Sequence, residues 1–151
     1  LVGGDGADSL RGDNGDDTLY GNDGNDILEG GNGADSLSGG EGADQIEGGA
    51  GADVLSGGAG ADLFVWRNSN DSASNSDRDV VHDFTPGEDR LDFSDLQDDL
   101  VFVTTPTGQV GQVWFDDRSN WVSIDLTGSG GADVSIHLIG VTDLNEGDFL
   151  F

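Results

Sequence analysis

Seven aspartates spaced nine residues apart are the first residues in this chain that could do chemistry: Asp8, Asp17, Asp26, Asp35, Asp44, Asp53 and Asp62. Carboxylates are hard oxygen donors, and a regular file of them suits a divalent cation that takes roughly 6–8 oxygens at about 2.3–2.6 Å. Other site chemistries are poorly supplied. The chain has no Cys, so neither thiolate sites nor disulfides are available. Neither an H-E-x-x-H nor a G-x-S-x-G motif occurs, and no catalytic residue is assigned. The two histidines, His82 beside Asp83 and His137 in an alternating stretch, read as structural. A glycosidase needs two carboxyl groups in contrasting environments, whereas these seven recur in one identical setting.

The charge balance points the same way. Thirty-one Asp and Glu face only five cationic side chains, Arg11, Arg67, Arg78, Arg90 and Arg118, for a net charge of −26. Nucleic acid is excluded as a partner, because phosphates must be neutralised by basic groups. An anionic membrane surface is disfavoured for the same reason. No apolar run approaches the roughly 18 residues needed to cross a bilayer, so membrane insertion is not expected.

The elements that must position the aspartates are repeats. From Gly3 to Val65 the chain reads GGDGADSLR, GDNGDDTLY, GNDGNDILE, GGNGADSLS, GGEGADQIE, GGAGADVLS and GGAGADLFV. The first and fourth positions are Gly and the sixth is Asp in all seven copies. The eighth is always large and apolar: Leu10, Leu19, Leu28, Leu37, Ile46, Leu55 and Phe64. A flexible linker has no reason to hold Asp and Leu in register over 63 residues. Only Asp13 and Asn22 replace Gly at the second position, and these are the types that best tolerate φ > 0. The expected unit is a six-residue turn followed by a three-residue strand whose eighth residue points inward. Leu1 and Val2 fit the end of a truncated earlier copy, so upstream material is expected; no signal-peptide pattern is visible in the two residues before Gly3.

The repeat resembles the RTX nonapeptide family, G-G-x-G-x-D-x-U-x. The resemblance implies an all-β fold, a right-handed parallel β-roll, with Ca2+ as the cofactor. Two copies then form one coil, and copies i and i+2 stack about 4.8 Å apart. Five aspartate pairs follow: Asp8 with Asp26, Asp17 with Asp35, Asp26 with Asp44, Asp35 with Asp53, and Asp44 with Asp62. Two carboxylates about 5 Å apart repel by roughly 3 kcal/mol at an effective dielectric near 20, and a Ca2+ with turn carbonyls turns that into coordination. Five ions add +10 and take −26 to −16. One inward apolar residue per nine cannot offset the entropy of ordering nine residues, so the repeats are expected to be disordered without calcium.

After Trp66 the glycines thin out and short alternating stretches appear. Strands are expected at Val80–Phe84, Leu91–Phe93, Leu100–Thr104, Val110–Phe115, Trp121–Leu126 and Asp133–Ile139, with a hairpin loop at Asp116–Asn120. Asn68–Asp79 reads as a polar loop, and Asp95–Leu100 and Thr142–Phe149 have room for a helical turn each. The division is residues 1–66, roll, and 67–151, a β-rich C-terminal cap. Phe64, Trp66, Phe84, Leu91 and Phe93 are the expected plug, because an open solenoid end exposes apolar side chains.

DLFVW at 62–66, DVVHDFTPGEDRLDFS at 79–94, IDLTGSGGADVSIHLIG at 124–140 and DFLF at 148–151 resemble the region that follows RTX repeats in serralysin-type proteases. Mannuronan epimerase R-modules and some secreted lipases end similarly. The resemblance implies one further Ca2+ on Asp79 and Asp89, ordinary turn aspartates being the alternative. It also implies a non-catalytic, monomeric, extracellular module that folds on Ca2+ and serves an upstream passenger enzyme. Export would run through type I secretion machinery reading the C-terminal signal, for which Asp148 to Phe151 has the acidic-then-apolar form; a plain terminal strand is the other reading. Two alternatives stay open, a carbohydrate-binding (alginate-type) or surface-binding module and an adhesin spacer.

Overall fold

A computed structural model describes residues 1–72, 77–97, 99–128 and 132–151. The chain is a parallel β-roll of two facing sheets, built from strands that alternate between them. Strands β1 (Val2–Asp5), β3 (Thr18–Asp23), β5 (Ser36–Glu41) and β7 (Val54–Ala59) stack in one sheet. Strands β2 (Ser9–Asn14), β4 (Ile27–Asn32), β6 (Gln45–Ala50) and β8 (Leu63–Val65) stack in the other. Register is strict: Leu10 pairs with Leu28, Leu28 with Ile46 and Ile46 with Phe64, and on the facing sheet Leu19 pairs with Leu37 and Leu37 with Leu55. The eighth-position residues therefore form two inward files, buried from Leu19 onward.

The strands are longer than three residues. Positions seven to nine run on through the first three positions of the next copy, giving six-residue strands from β2 to β7, and only positions four to six turn. Glycine has no side chain to alternate, so its strand residues leave no periodic signal. Asp13 and Asn22 do adopt left-handed φ, at 71° and 77°.

The boundary expected at residue 66 is not a break in either sheet. β9 (Asp79–Val81) pairs in parallel with β7, and β10 (Arg90–Asp92) with β8. Each adds one more rung to its sheet. β9 then pairs with β14 (Val134–Leu138), which continues antiparallel to β13 (Trp121–Asp125) and β12 (Gln112–Asp116), with β11 (Val101–Phe102) at the edge. Residues 116–120 make the expected hairpin turn. In place of the helical turn expected at 95–100 there is a hydrogen-bonded turn over 94–96, closed by the Leu96 N–H on the Phe93 carbonyl, residue 98 lying outside the described residues; that at 142–149 is one 3-10 turn, Glu146–Asp148. Residues 73–76 of the polar loop and 129–131 of the third motif also lie outside the description.

The plug residues are all buried in one continuous core. Phe64 packs on Phe84 with ring centroids 6.1 Å apart, and Trp66 on Phe93 at 5.5 Å. The terminal motif completes the plug: β15 (Phe149–Leu150) pairs in parallel with β10, placing Phe149 beyond Leu91 in the same inward file. Asp148, 1% exposed, accepts the N–H of Gly87 at 2.7 Å and caps the 3-10 turn through the N–H of Asn145.

Candidate metal centre

The seven repeat aspartates sit where each turn enters its strand, and the roll stacks them in two columns. Their contact is not carboxylate against carboxylate. The backbone N–H of Asp8 donates to Oδ1 of Asp26 at 2.8 Å, Asp26 to Asp44 at 2.8 Å, and Asp44 to Asp62 at 2.9 Å. In the facing column Asp17 donates to Asp35 and Asp35 to Asp53, both at 2.8 Å. All five expected pairs are thus brought together, through a backbone donor that residue types do not reveal.

The second oxygen carries the chemistry. Among the described residues, Oδ2 of Asp26, Asp35, Asp44, Asp53 and Asp62 is buried with no hydrogen-bond partner. These are the second members of the five pairs. An unpaired buried carboxylate oxygen is costly, and a bound cation is one of few things that relieves it. The oxygens crowd one point of the backbone. A Cβ added at Gly39 would strike Oδ2 of Asp44 and stand 2.6 Å from the carbonyl oxygen of Gly57. At Gly12 it would lie 2.5 Å from the Gly30 carbonyl and 2.8 Å from Oδ2 of Asp17. The invariant first-position glycine therefore lets the carboxylate of its own copy and a carbonyl of the next coil approach the same point of its backbone. Two acceptors converging without a donor fit a hard cation. No cluster of three or more acidic or His side chains occurs among the described residues, so backbone carbonyls must supply most of the ligands.

The electrostatics report the same strain. Burial raises the carboxyl pKa of Asp35 and Asp44, pushes that of Asp53 up to about 7 and that of Asp62 up to about 6, with neighbouring aspartates adding to the rise.

Asp79 and Asp89 do not share one site. Asp79 ends one column, accepting the N–H of Asp53 at 2.9 Å, and Asp89 ends the other, accepting that of Asp62 at 2.9 Å. The second oxygen of each is met by the protein. Trp66 Nε1–H donates to Oδ2 of Asp79 at 2.6 Å, and the Thr85 N–H to Oδ2 of Asp89 at 2.8 Å. Burial still pushes the Asp79 carboxyl up to about 8. A sequence signal for these placements exists: Asp79-Val80-Val81 and Asp89-Arg90-Leu91 repeat the Asp-x-apolar triplet of the nonapeptides. Asp83 is a further cap, accepting the Ser56 hydroxyl at 2.6 Å and the N–H groups of Gly57 and Gly58.

The pattern of the family described as Peptidase M10 serralysin C terminal matches residues 2–151. Among solved structures, the AlgE6R2 subunit of the Azotobacter vinelandii mannuronan C5-epimerase is 29% identical with a TM-score of 0.50, the match covering all of this chain and 91% of that one. The AlgE6R3 subunit of the same enzyme is 30% identical at a TM-score of 0.48, covering all of this chain and 81% of that one. No curated protein matches the chain.

Proposed function

The chain belongs to the serralysin C-terminal family of peptidase M10, and from that premise we propose that it is a calcium-triggered folding module for an enzyme carried upstream. The observation that carries this reading is the set of five buried, unpartnered Oδ2 atoms on Asp26, Asp35, Asp44, Asp53 and Asp62. Each would be one ligand of a Ca2+, joined by backbone carbonyls such as those of Gly30 and Gly57 that approach the first-position glycine of the preceding coil, so the roll would take five ions. When bound, the ion supplies positive charge between carboxylates that the fold would otherwise bury at a loss. The chain's own part is to hold Oδ1 on a backbone N–H, leaving Oδ2 free to face the ion.

Such a module is a threshold device. Extracellular calcium modules bind at about 10⁻⁴–10⁻³ M, above cytosolic calcium levels and near those outside the cell. The chain would leave the cell unfolded, through type I secretion machinery, and fold as a monomer outside. Asp79 and Asp89 belong to the calcium-stabilised ladder as its terminal rungs. The epimerase named by the similar AlgE6R2 structure supports an enzyme as passenger.

Calcium titration followed by far-UV circular dichroism, with isothermal titration for stoichiometry, tests the reading. A cooperative gain of β signal near millimolar calcium with about five ions bound is expected. An unchanged β signal in excess chelator overturns it.

A further inference from the structure

The outward face of β12, β13 and β14 carries a cleft of about 300 Å3 that calcium binding leaves unused. Trp114, Ser123 and Ser135 lie side by side across the three strands, with Asp116, Trp121 and His137 in the next row. Solvent faces of antiparallel sheets are normally polar, yet two of the chain's three tryptophans stand here and line the cleft together with Arg78. Trp121 is already engaged, stacked on His137 at 4.7 Å and 14° and with the Arg78 guanidinium 4.8 Å from its ring centre. Among the described residues no ring or cation covers Trp114. On the floor, Ser135 is only 6% exposed, and its hydroxyl has no hydrogen-bond partner among the described residues. An unpartnered hydroxyl on the floor of an open cleft is a donor and acceptor held ready for something that enters.

The chemistry of the lining selects the class of ligand. An uncovered indole face is electron-rich and attracts the positively polarised C–H bonds on one side of a sugar ring. Two serine hydroxyls offer both donors and acceptors to ring hydroxyls, and the Asp116 carboxylate, which already accepts the Arg118 N–H and the Ser119 hydroxyl, has lone pairs left to accept another. An acyl chain would leave those groups unpaired. A polyanion meets a protein of net charge −26, and the one guanidinium at hand is already laid on Trp121. The volume stands at the lower end of the roughly 300–1,000 Å3 of ligand pockets, enough for one ring of a chain passing across the face. We propose that this cleft binds a pyranose unit of a neutral polysaccharide, stacked on Trp114 and hydrogen-bonded to Ser123, Ser135 and Asp116.

The test uses the full chain in about 10 mM calcium, a level at least tenfold above typical extracellular affinities, with its fold checked by circular dichroism. Hexasaccharides of β-1,4-glucose, α-1,4-glucose and β-1,4-mannose are titrated by calorimetry and tryptophan emission, and a hexa-uronate serves as the contrasting probe. At least one neutral probe should saturate, with affinity weakened roughly tenfold or more by Trp114→Ala and to a smaller degree by Ser135→Ala, neither altering the circular dichroism. Three results would each overturn the proposal: no neutral probe saturating the folded protein, binding undiminished in Trp114→Ala, or saturation by the uronate alone with loss in Arg78→Ala. A chain that fails to fold in calcium registers in the circular dichroism and bears on the calcium reading instead.

Discussion

Replacing Asp44 by Asn separates a metal ligand from a merely buried acid. Asp44 lies in the middle of its column, 2% exposed, with Oδ1 accepting the Asp26 N–H at 2.8 Å and Oδ2 beside the Gly57 carbonyl. The amide keeps the shape and the Oδ1 acceptor. It replaces the orphan oxygen by an NH2 that can donate to that carbonyl, which is also what a protonated carboxyl would do. If no cation binds, Asp44→Asn should be neutral or stabilising. If one does, a ligand and its charge are lost. A site of Kd about 10⁻⁴–10⁻³ M contributes about 1.4–2.7 kcal/mol at 10 mM calcium. Five such sites contribute about 7–14 kcal/mol, comparable with the whole stability of a domain. Removing one should therefore cost about 1.4–2.7 kcal/mol in 10 mM calcium, read from urea midpoints, and lower the bound ions from about five to about four. In chelator the variant should show no less β signal than the parent. Equal losses with and without calcium, or an unchanged stoichiometry, would refute the assignment of Oδ2 to the metal.

In chelator, acidification should favour the fold. Burial raises the folded carboxyl pKa values from 3.8 to about 7 for Asp53, about 6 for Asp62 and about 8 for Asp79, so their contribution is full below pH 3.8 and lost as pH rises through 6 to 8. Circular dichroism in chelator should show more β structure at pH 5 than at pH 8, and calcium midpoints should move upward at pH 5 as protons compete. Trp66→Phe keeps the packing on Phe93 but removes the donor to Asp79, which is fully buried; a loss of about 1–3 kcal/mol is expected in thermal melts. Gly39→Ala places a methyl against Oδ2 of Asp44 and the Gly57 carbonyl, so calcium-dependent stability should fall by about 1–3 kcal/mol or more in urea titrations. Asp148→Ala unpairs the Gly87 N–H and the cap on Asn145 and should lower the melting temperature without changing the number of ions bound.

Much of the roll was legible because its period binds chemistry to geometry. A residue that is apolar every nine positions must face one interior, and the inward files from Leu10 to Phe64 do so. Asp13 and Asn22 were readable as left-handed positions because few other side chains tolerate them. The cap was legible only in part. Aromatics such as Trp66 and Phe93 mark a plug by their size, but the rungs carrying Asp79 and Asp89 lie 26 and 27 residues beyond their partners instead of 18. A triplet displaced by such insertions is too short to stand out. The N–H groups that hold every Oδ1 leave no trace in residue type at all. Asp148, read from its acidic-then-apolar setting, is equally a buried cap at the end of a strand, because one motif can satisfy both descriptions.

On the proposed reading, the two kinds of aspartate set where an ion is needed for the second oxygen and where it is not. Inside the columns every turn is a copy of the last, so each carboxylate meets another copy's carbonyls and backbone, and a repeat that is all acceptor at that point is completed by a cation from solution or, at low pH, by a proton. At the C-terminal end the symmetry breaks, and the chain can place a donor of its own. Trp66 Nε1–H does this for Asp79 and the Thr85 N–H for Asp89. The same Trp66 packs on Phe93, which in turn packs on Phe149. The end that needs no external ligand for its second oxygen is thus the end with the largest side chains. Stability should rise from the first coil, where Asp8 and Asp17 are only partly buried, toward the cap. Hydrogen exchange at limiting calcium gives the direct reading: amides of β8, β9 and β10 should stay protected after those of β2 and β3 have exchanged, and uniform loss along the roll would show that the cap does not anchor it.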